Sequence, residues 1–235
     1  MQRIDQKLIV PIVEPSEDKA HRLARATIAT IPVLGGSLLE VFNSIIEPPL
    51  ARRKTEWMIQ ITSAVNSLLE KKIITEDDLK TNEKFFTTLV HASSVALKNH
   101  QNEKIQALRN ATINSALPDS PDDATQQMFL NLIDTITPWH IAFLRLFQDP
   151  NHWAIANNHK FPNMSVGGLS TLLESAFPQL AKRRELYDLI WSELYRSGLV
   201  SIQGLHTTMS GTGLYAKRTT LFGDEFMNFI SEPKF

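Results

Sequence analysis

A chain of 235 residues with 43% hydrophobic and 21% charged side chains has apolar material for one large domain or two small ones, which excludes wholesale disorder. Lys plus Arg number 24 against 25 Asp plus Glu, and the net charge of −1 excludes a globally basic nucleic-acid coat while permitting a local patch. The absence of cysteine excludes disulfides, thiolate nucleophiles and cysteine zinc sites.

The first residues lead into Leu8-Ile9-Val10, but Pro11 and Pro15 interrupt before an apolar run adequate for a secretory signal can form. A cytoplasmic location is therefore expected. From Ala26 to Ile46 the only charged residue is Glu40, and the length is nearly enough to cross a bilayer. Against a crossing, Pro32 and Gly35-Gly36 break the run, and Glu40 and Asn43 would be costly in hydrocarbon. The expectation is two short buried helices meeting at Pro32–Gly36, with the apolar residues through Ile45 and Ile46 covered. The alternative is a membrane-active or partner-binding element. Its contacts would be Ile31, Val33, Leu38 and Phe42, with Arg52 and Arg53 at the headgroup level.

Beyond Pro48-Pro49 the pattern turns helical. Trp57, Ile61, Val65 and Leu68 form one apolar stripe, ending in Lys71-Lys72 at the negative end of the helix dipole. Thr75 with Asp78 reads as a capping box opening a helix across Leu79, Phe86, Leu89 and Val90. A further helix runs from Glu103 toward Leu117. The stretch Pro118–Asp123 carries two prolines and three acids, cannot continue a helix, and offers Asp122 or Asp123 as the next cap, so a domain boundary is expected there. Met128, Phe129, Leu132, Ile133 and Ile136 follow as an apolar face. Thr137-Pro138 stops that helix and opens another, which Asp149-Pro150 ends before a polar loop over Asn151–Asn163.

In the last ninety residues Ser165 is expected to cap a short helix with Leu169, Leu172 and Leu173, closed by Pro178. A longer helix with Leu186, Leu189, Ile190 and Leu194 ends at Gly198, the usual left-handed terminator. Leu199–Ile202 and Leu214–Ala216 read as the strands of a hairpin, and Thr219–Gly223 leads to a final helix with Phe226, Phe229 and Ile230. That order predicts a mainly α protein with an N-terminal helical region over residues 1–120. A winged helix-turn-helix-like domain with a small β-hairpin would cover residues 121–235.

Two resemblances stand beside this pattern. The runs Ser197-Gly198-Leu199-Val200 and Thr220-Leu221-Phe222-Gly223 are similar to the helix-to-wing and wing-to-helix joints of winged-helix domains. The segment Ile31-Pro32-Val33-Leu34-Gly35-Gly36, the pair Pro48-Pro49, the basic Arg52-Arg53 and the pattern Thr220-x-x-Gly223-x-x-Phe226 resemble the abortive-infection alpha family of bacterial proteins. That resemblance implies a role in defence against bacteriophage and carries over no catalytic residues.

Chemical constellations are sparse. His140, His152 and His159 are the nearest thing to a cysteine-free zinc site, but no pair has the i, i+4 spacing with a following acid, so no metal is expected. Gly167-Gly168-Leu169-Ser170 lacks a nucleophile elbow, and Ser210-Gly211-Thr212-Gly213 lacks the lysine of a phosphate loop. Neither an enzyme, a cofactor nor a small-molecule substrate is expected. For DNA the candidates are Lys182, Arg183, Arg184 and Arg196 on the long helix, with Lys217 and Arg218 on the wing. Glu185, Asp188 and Glu193 oppose them, and residues 127–235 carry nine cations and nine anions. The leading expectation is a non-enzymatic defence or regulatory protein acting through protein contacts or self-association. A winged-helix transcriptional regulator is the alternative, and a membrane-active effector a second one.

Overall fold

The computed structural model describes residues 36–233 except Met164, with side chains from Ile45 onward. Among these residues it contains eleven α-helices and one two-stranded antiparallel sheet. Helix α1 spans Gly36–Glu70, α2 Glu76–Thr81, α3 Glu83–Lys98, α4 Asn102–Ser115, α5 Asp123–Thr135, α6 Pro138–Gln148 and α7 Pro150–Ala156. Strand β1 (Val166–Gly167) precedes α8 (Leu169–Ala176), a 3₁₀ turn over Pro178–Leu180 and α9 (Arg184–Arg196). Strand β2 (Met209–Ser210), α10 (Gly211–Leu214) and α11 (Leu221–Ile230) complete the chain.

The helix starts follow the expected cap chemistry. Thr75 and Asp78 form the capping box of α2, Asp122 accepts from the amides of Ala124 and Thr125, and Thr137-Pro138 opens α6. Gly198, at φ +71°, ends α9, and the Leu199 amide donates back to the Leu194 carbonyl, closing the last turn.

Several expectations are corrected. Helix α1 does not begin after Pro48-Pro49 but runs through them from Gly36. Both prolines are exposed, so the carbonyls that lose their amide partners can turn to water instead of breaking the helix. Ile45 and Ile46 are not buried: they are 64% and 42% exposed. Of the expected hairpin over residues 26–46, the part before Gly36, with Ile31 and Val33, lies outside the described residues, as do the side chains of Leu38 and Phe42. Phe86, Val90 and Met128 also face solvent rather than the core. The expected single helix after Thr75 is two, because Asn82 interrupts it and accepts from the Phe85 amide. Asn151–Asn163 is not all loop, since Asp149 caps α7 through the His152 amide and Pro150 takes its first position. Gly168, not Ser165, stands at the start of α8.

The expected hairpin strands are overturned as well. Val200 and Thr219 form a single bridge, Leu214 is helical, and the two-stranded sheet pairs Val166–Gly167 with Met209–Ser210. The Ser210 hydroxyl accepts from the Gly213 amide, and this cap turns the chain into α10 where a returning strand was expected.

Helix α4 ties the two halves of the chain together. It packs on α1, α3, α5 and α11, and one apolar core runs from Trp57 to Ile230. Its polar side chains serve the carbonyls that neighbouring helices leave unpaired at their C-termini. Lys104 Nζ donates to the carbonyls of Asp134 and Ile136 at the end of α5 (2.7 and 3.1 Å). Asn110 donates to the Ile230 carbonyl, and Asn114 to those of Phe229 and Ser231, at the end of α11.

Candidate protein-contact surface

Helix α9 buries Tyr187, Ile190, Trp191 and Leu194 and turns Glu185, Leu189, Tyr195 and Arg196 outward. Leu189 is 52% exposed, although its sequence neighbours place it with the core residues. Lys182 and Arg183 are exposed and precede the helix. Arg184 opens it and pairs with Asp188 (3.4 Å), whose other oxygen meets His206 Nε2 at 2.7 Å. Arg196 lies at the opposite end, three helical turns from Arg184. The two candidate cations of the loop before α11 are paired within the chain. Lys217 pairs with Asp224. Arg218 is half-buried and directs its guanidinium to the Gly213 carbonyl and the Met209 sulfur, fastening the loop that precedes it. The six candidate cations therefore form no continuous stripe.

Asp224 gathers three donors: Lys217, the Thr219 hydroxyl (2.6 Å) and the Gln148 amide (3.2 Å). Burial alone would raise its pKa, but these hydrogen bonds hold the carboxyl below the ordinary aspartate value.

His140 is 3% exposed, with both ring nitrogens used. Nδ1 accepts from the Thr137 amide (3.1 Å) and lies 2.9 Å from its hydroxyl, while Nε2 meets Glu193 of α9 at 2.8 Å. The chain Thr137–His140–Glu193 has the order of a hydrolytic triad, yet its ring already receives a backbone amide at the nitrogen that would act as base. It is a helix cap that also fastens α6 to α9. Burial lowers the His140 pKa below 6.5, Glu193 opposes that shift, and the Lys104 charge adds to it. The unfolded chain therefore binds the proton first, so stability should be complete above about pH 6.5 and fall as pH drops toward the folded-state value. Urea melts at about pH 7.5 and about pH 5.5 should show this loss. His140→Gln, which keeps a donor and an acceptor without titrating, should flatten it, and an unchanged pH dependence would exclude His140 as the cause.

The three candidate zinc histidines do not converge. His140 is engaged as above, His152 is exposed, and His159 bonds the Ser175 hydroxyl (3.1 Å). Among the described residues no group of three metal-ligating side chains occurs. A cavity of about 680 Å³ lies between α1, α4 and the C-terminal segment, lined by Ser67, Lys71, Arg109 and Glu232. None of the candidate cations contributes to it. Arg52 pairs with Glu56 on the exposed surface of α1 (3.7 Å), and Arg53 donates to the Leu97 carbonyl on α3. No helix among the described residues is long and apolar enough to cross a membrane.

A second surface escaped the sequence reading. Trp139 of α6, Trp153 of α7 and the core-facing Phe143 all pack on Phe177, at 5.6, 5.5 and 6.0 Å between ring centres. Phe161 lies nearly parallel to Trp153, and Tyr215 leans on Phe161. The signal was present in the sequence: residues 150–168 hold one charged side chain, Lys160, among aromatic and amide residues. Comparison with protein-family models, curated proteins and solved structures finds no match to the chain.

Proposed function

We propose that the chain is a non-enzymatic bacterial defence or regulatory protein of the abortive-infection alpha type, acting through protein contacts made by a winged-helix-like C-terminal half. The run α8, 3₁₀ turn, α9, the Val200–Thr219 bridge and α11 supports the winged-helix reading. The observation that carries the contact reading is the state of the cations on α9 and the following loop. Arg184 and Lys217 are paired with acids, Arg218 is turned inward, and Glu185 interrupts the rest, while Leu189 and Tyr195 are left outside. A phosphate-binding face needs several unopposed cations, and an interface core favours aromatic and apolar groups with few charges.

The test is phage plating with and without the gene in its native neighbourhood. Protection should be lost with Leu189→Asp plus Tyr195→Asp in a protein that still melts cooperatively. Lys182 and Arg183, exposed and with no partner among the described residues, favour one second reading: binding to DNA. A mobility shift at about 50 mM salt, abolished by Lys182→Ala, Arg183→Ala and Arg184→Ala with a salt slope reduced by about three, would replace the protein-contact reading with that one.

A further inference from the structure

Two cavities flank the segment that follows α11, and their walls differ in charge. The larger, about 680 Å³, is lined by Ser67 and Lys71, by Arg109 and Ile113 of α4, and by Glu232 and Pro233. The smaller, about 390 Å³, also touches Glu232 and Pro233, but its other charged side chains among the described residues are Asp119 and Glu225. One cavity thus gathers two cations and one carboxylate, while the other gathers three carboxylates and no cation. Small-molecule sites run to about 300–1,000 Å³, so the larger cavity has room for such a ligand inside a wall of net positive charge.

Arg109 distinguishes this cavity further. It is half-buried, its Nη1 donates to Asn110 Oδ1 (3.0 Å), and Asn110 Nδ2 donates to the Ile230 carbonyl (3.0 Å). The guanidinium is therefore held by a neutral amide that is itself fastened to the end of α11. Among the described residues, the other buried or half-buried Lys and Arg side chains are used within the fold. Lys84 pairs with Asp123, Lys104 and Arg53 serve carbonyls of neighbouring helices, and Arg218 serves the Gly213 carbonyl. Arg109 instead faces the cavity, and no carboxylate of the described residues pairs with it. The bond to Asn110 uses one of five N–H donors, in a planar fork whose geometry matches the oxygens of a carboxylate or phosphate. Partial burial strengthens its attraction for such a group relative to a charge in open water.

We propose that the larger cavity binds a small organic oxyanion, its carboxylate or phosphate held by the Arg109 fork with Lys71 as the second cation. Ile113 and Pro233 receive its carbon skeleton, and Glu232 opposes its charge. The ligand bridges α4 to the segment after α11, which belong to the two halves of the chain. The site shares no residue with the α9 contact, and either can fail while the other stands.

Inorganic pyrophosphate and citrate are the probes, each titrated into the whole chain at constant ionic strength and followed by calorimetry. At least one should bind saturably, and the pair tells a phosphate source from a carboxylate one. Arg109→Gln keeps a donor for Asn110 and removes the cation, so it should weaken binding about tenfold or more. Lys71→Gln should weaken it by a smaller factor. Glu232→Gln removes the opposing charge and should tighten binding, a change of sign that damage to the fold does not produce. Glu225→Gln, in the acidic cavity alone, and Leu189→Asp on α9 should leave the affinity nearly unchanged. Urea melts accompany each variant, and if Arg109→Gln does not fold, the opposite effects of Lys71→Gln and Glu232→Gln carry the test. Saturation by neither probe up to about 10 mM, equal affinity of wild type and Arg109→Gln, or weaker binding by Glu232→Gln would each overturn the proposal.

Discussion

Gly223→Ala should be the most damaging single methyl that the C-terminal half can receive. A Cβ at this position would stand 2.1 Å from the Leu199 carbonyl oxygen and 3.0 Å from its carbon. The obstacle is backbone on a buried segment, not the end of a flexible side chain, and that backbone is fixed from several directions. The Leu199 carbonyl accepts from the Thr220 amide (3.1 Å), while the Leu199 amide closes the last turn of α9. Thr220 also donates through its hydroxyl to the Gly198 carbonyl (2.6 Å) and caps α11 by accepting from the Gly223 amide (2.9 Å). Three residues on, Phe226 is fully buried against Phe129, edge-on at 5.4 Å. The pattern Thr220-x-x-Gly223-x-x-Phe226 thus has a mechanical meaning: cap, close approach, anchor. Overpacking against backbone should cost about 3 kcal/mol or more, which in a domain of this size lowers the melting temperature by roughly 6–12 °C. Thermal melts of the variant beside Leu221→Ala, an 83%-exposed site on the same helix, would check this. Equal melting temperatures would mean that α11 does not sit this close to Leu199.

Lys104→Ala is expected to have the second-largest effect. Lys104 is 5% exposed, and burial lowers its pKa while the Asp134 charge works the other way. Its value to the fold lies in two carbonyls, those of Asp134 and Ile136, which terminate α5 and have no amide of their own to pair with. Alanine removes the cation, strands both acceptors and leaves a cavity beside α4. Losses of this kind run to about 3 kcal/mol. Lys104→Met keeps the volume and removes the cost of burying a charge, so it should recover part of the loss. Denaturant melts of both variants test the account. If alanine and methionine are equally harmful, the carbonyl caps dominate; if methionine is as stable as lysine, the caps contribute nothing and this explanation fails.

Local chemistry made much of the helix grammar legible in advance. Thr75 with Asp78, Asp122, Thr137-Pro138 and Gly198 act within four or five residues of their own position, so their outcome depends on sequence neighbours alone. The same local rules misread Pro48-Pro49, because the cost of an internal proline depends on whether the freed carbonyls can reach water, and there they can. They also misread the loop after Val200, where Ser210 and its glycines read as a hairpin turn but cap a helical turn.

What the chain settled by itself was its helical character, most of its caps, and the near-balance of charge that argues against a phosphate-binding face. Only the tertiary structure decided which cations are free. Lys217 and Arg184 meet acids seven and four residues away, and Arg218 turns into the preceding loop, pairings that composition cannot distinguish from open charge. It decided, too, which apolar residues stay wet, since Leu189 and Ile190 are neighbours of equal hydrophobicity on opposite sides of one helix boundary with the core. Lastly it brought Trp139, Trp153 and Phe177 together from separate parts of the chain. Long-range contact, set by how helices of fixed length pack on a shared core, is the one quantity that a periodic pattern does not encode.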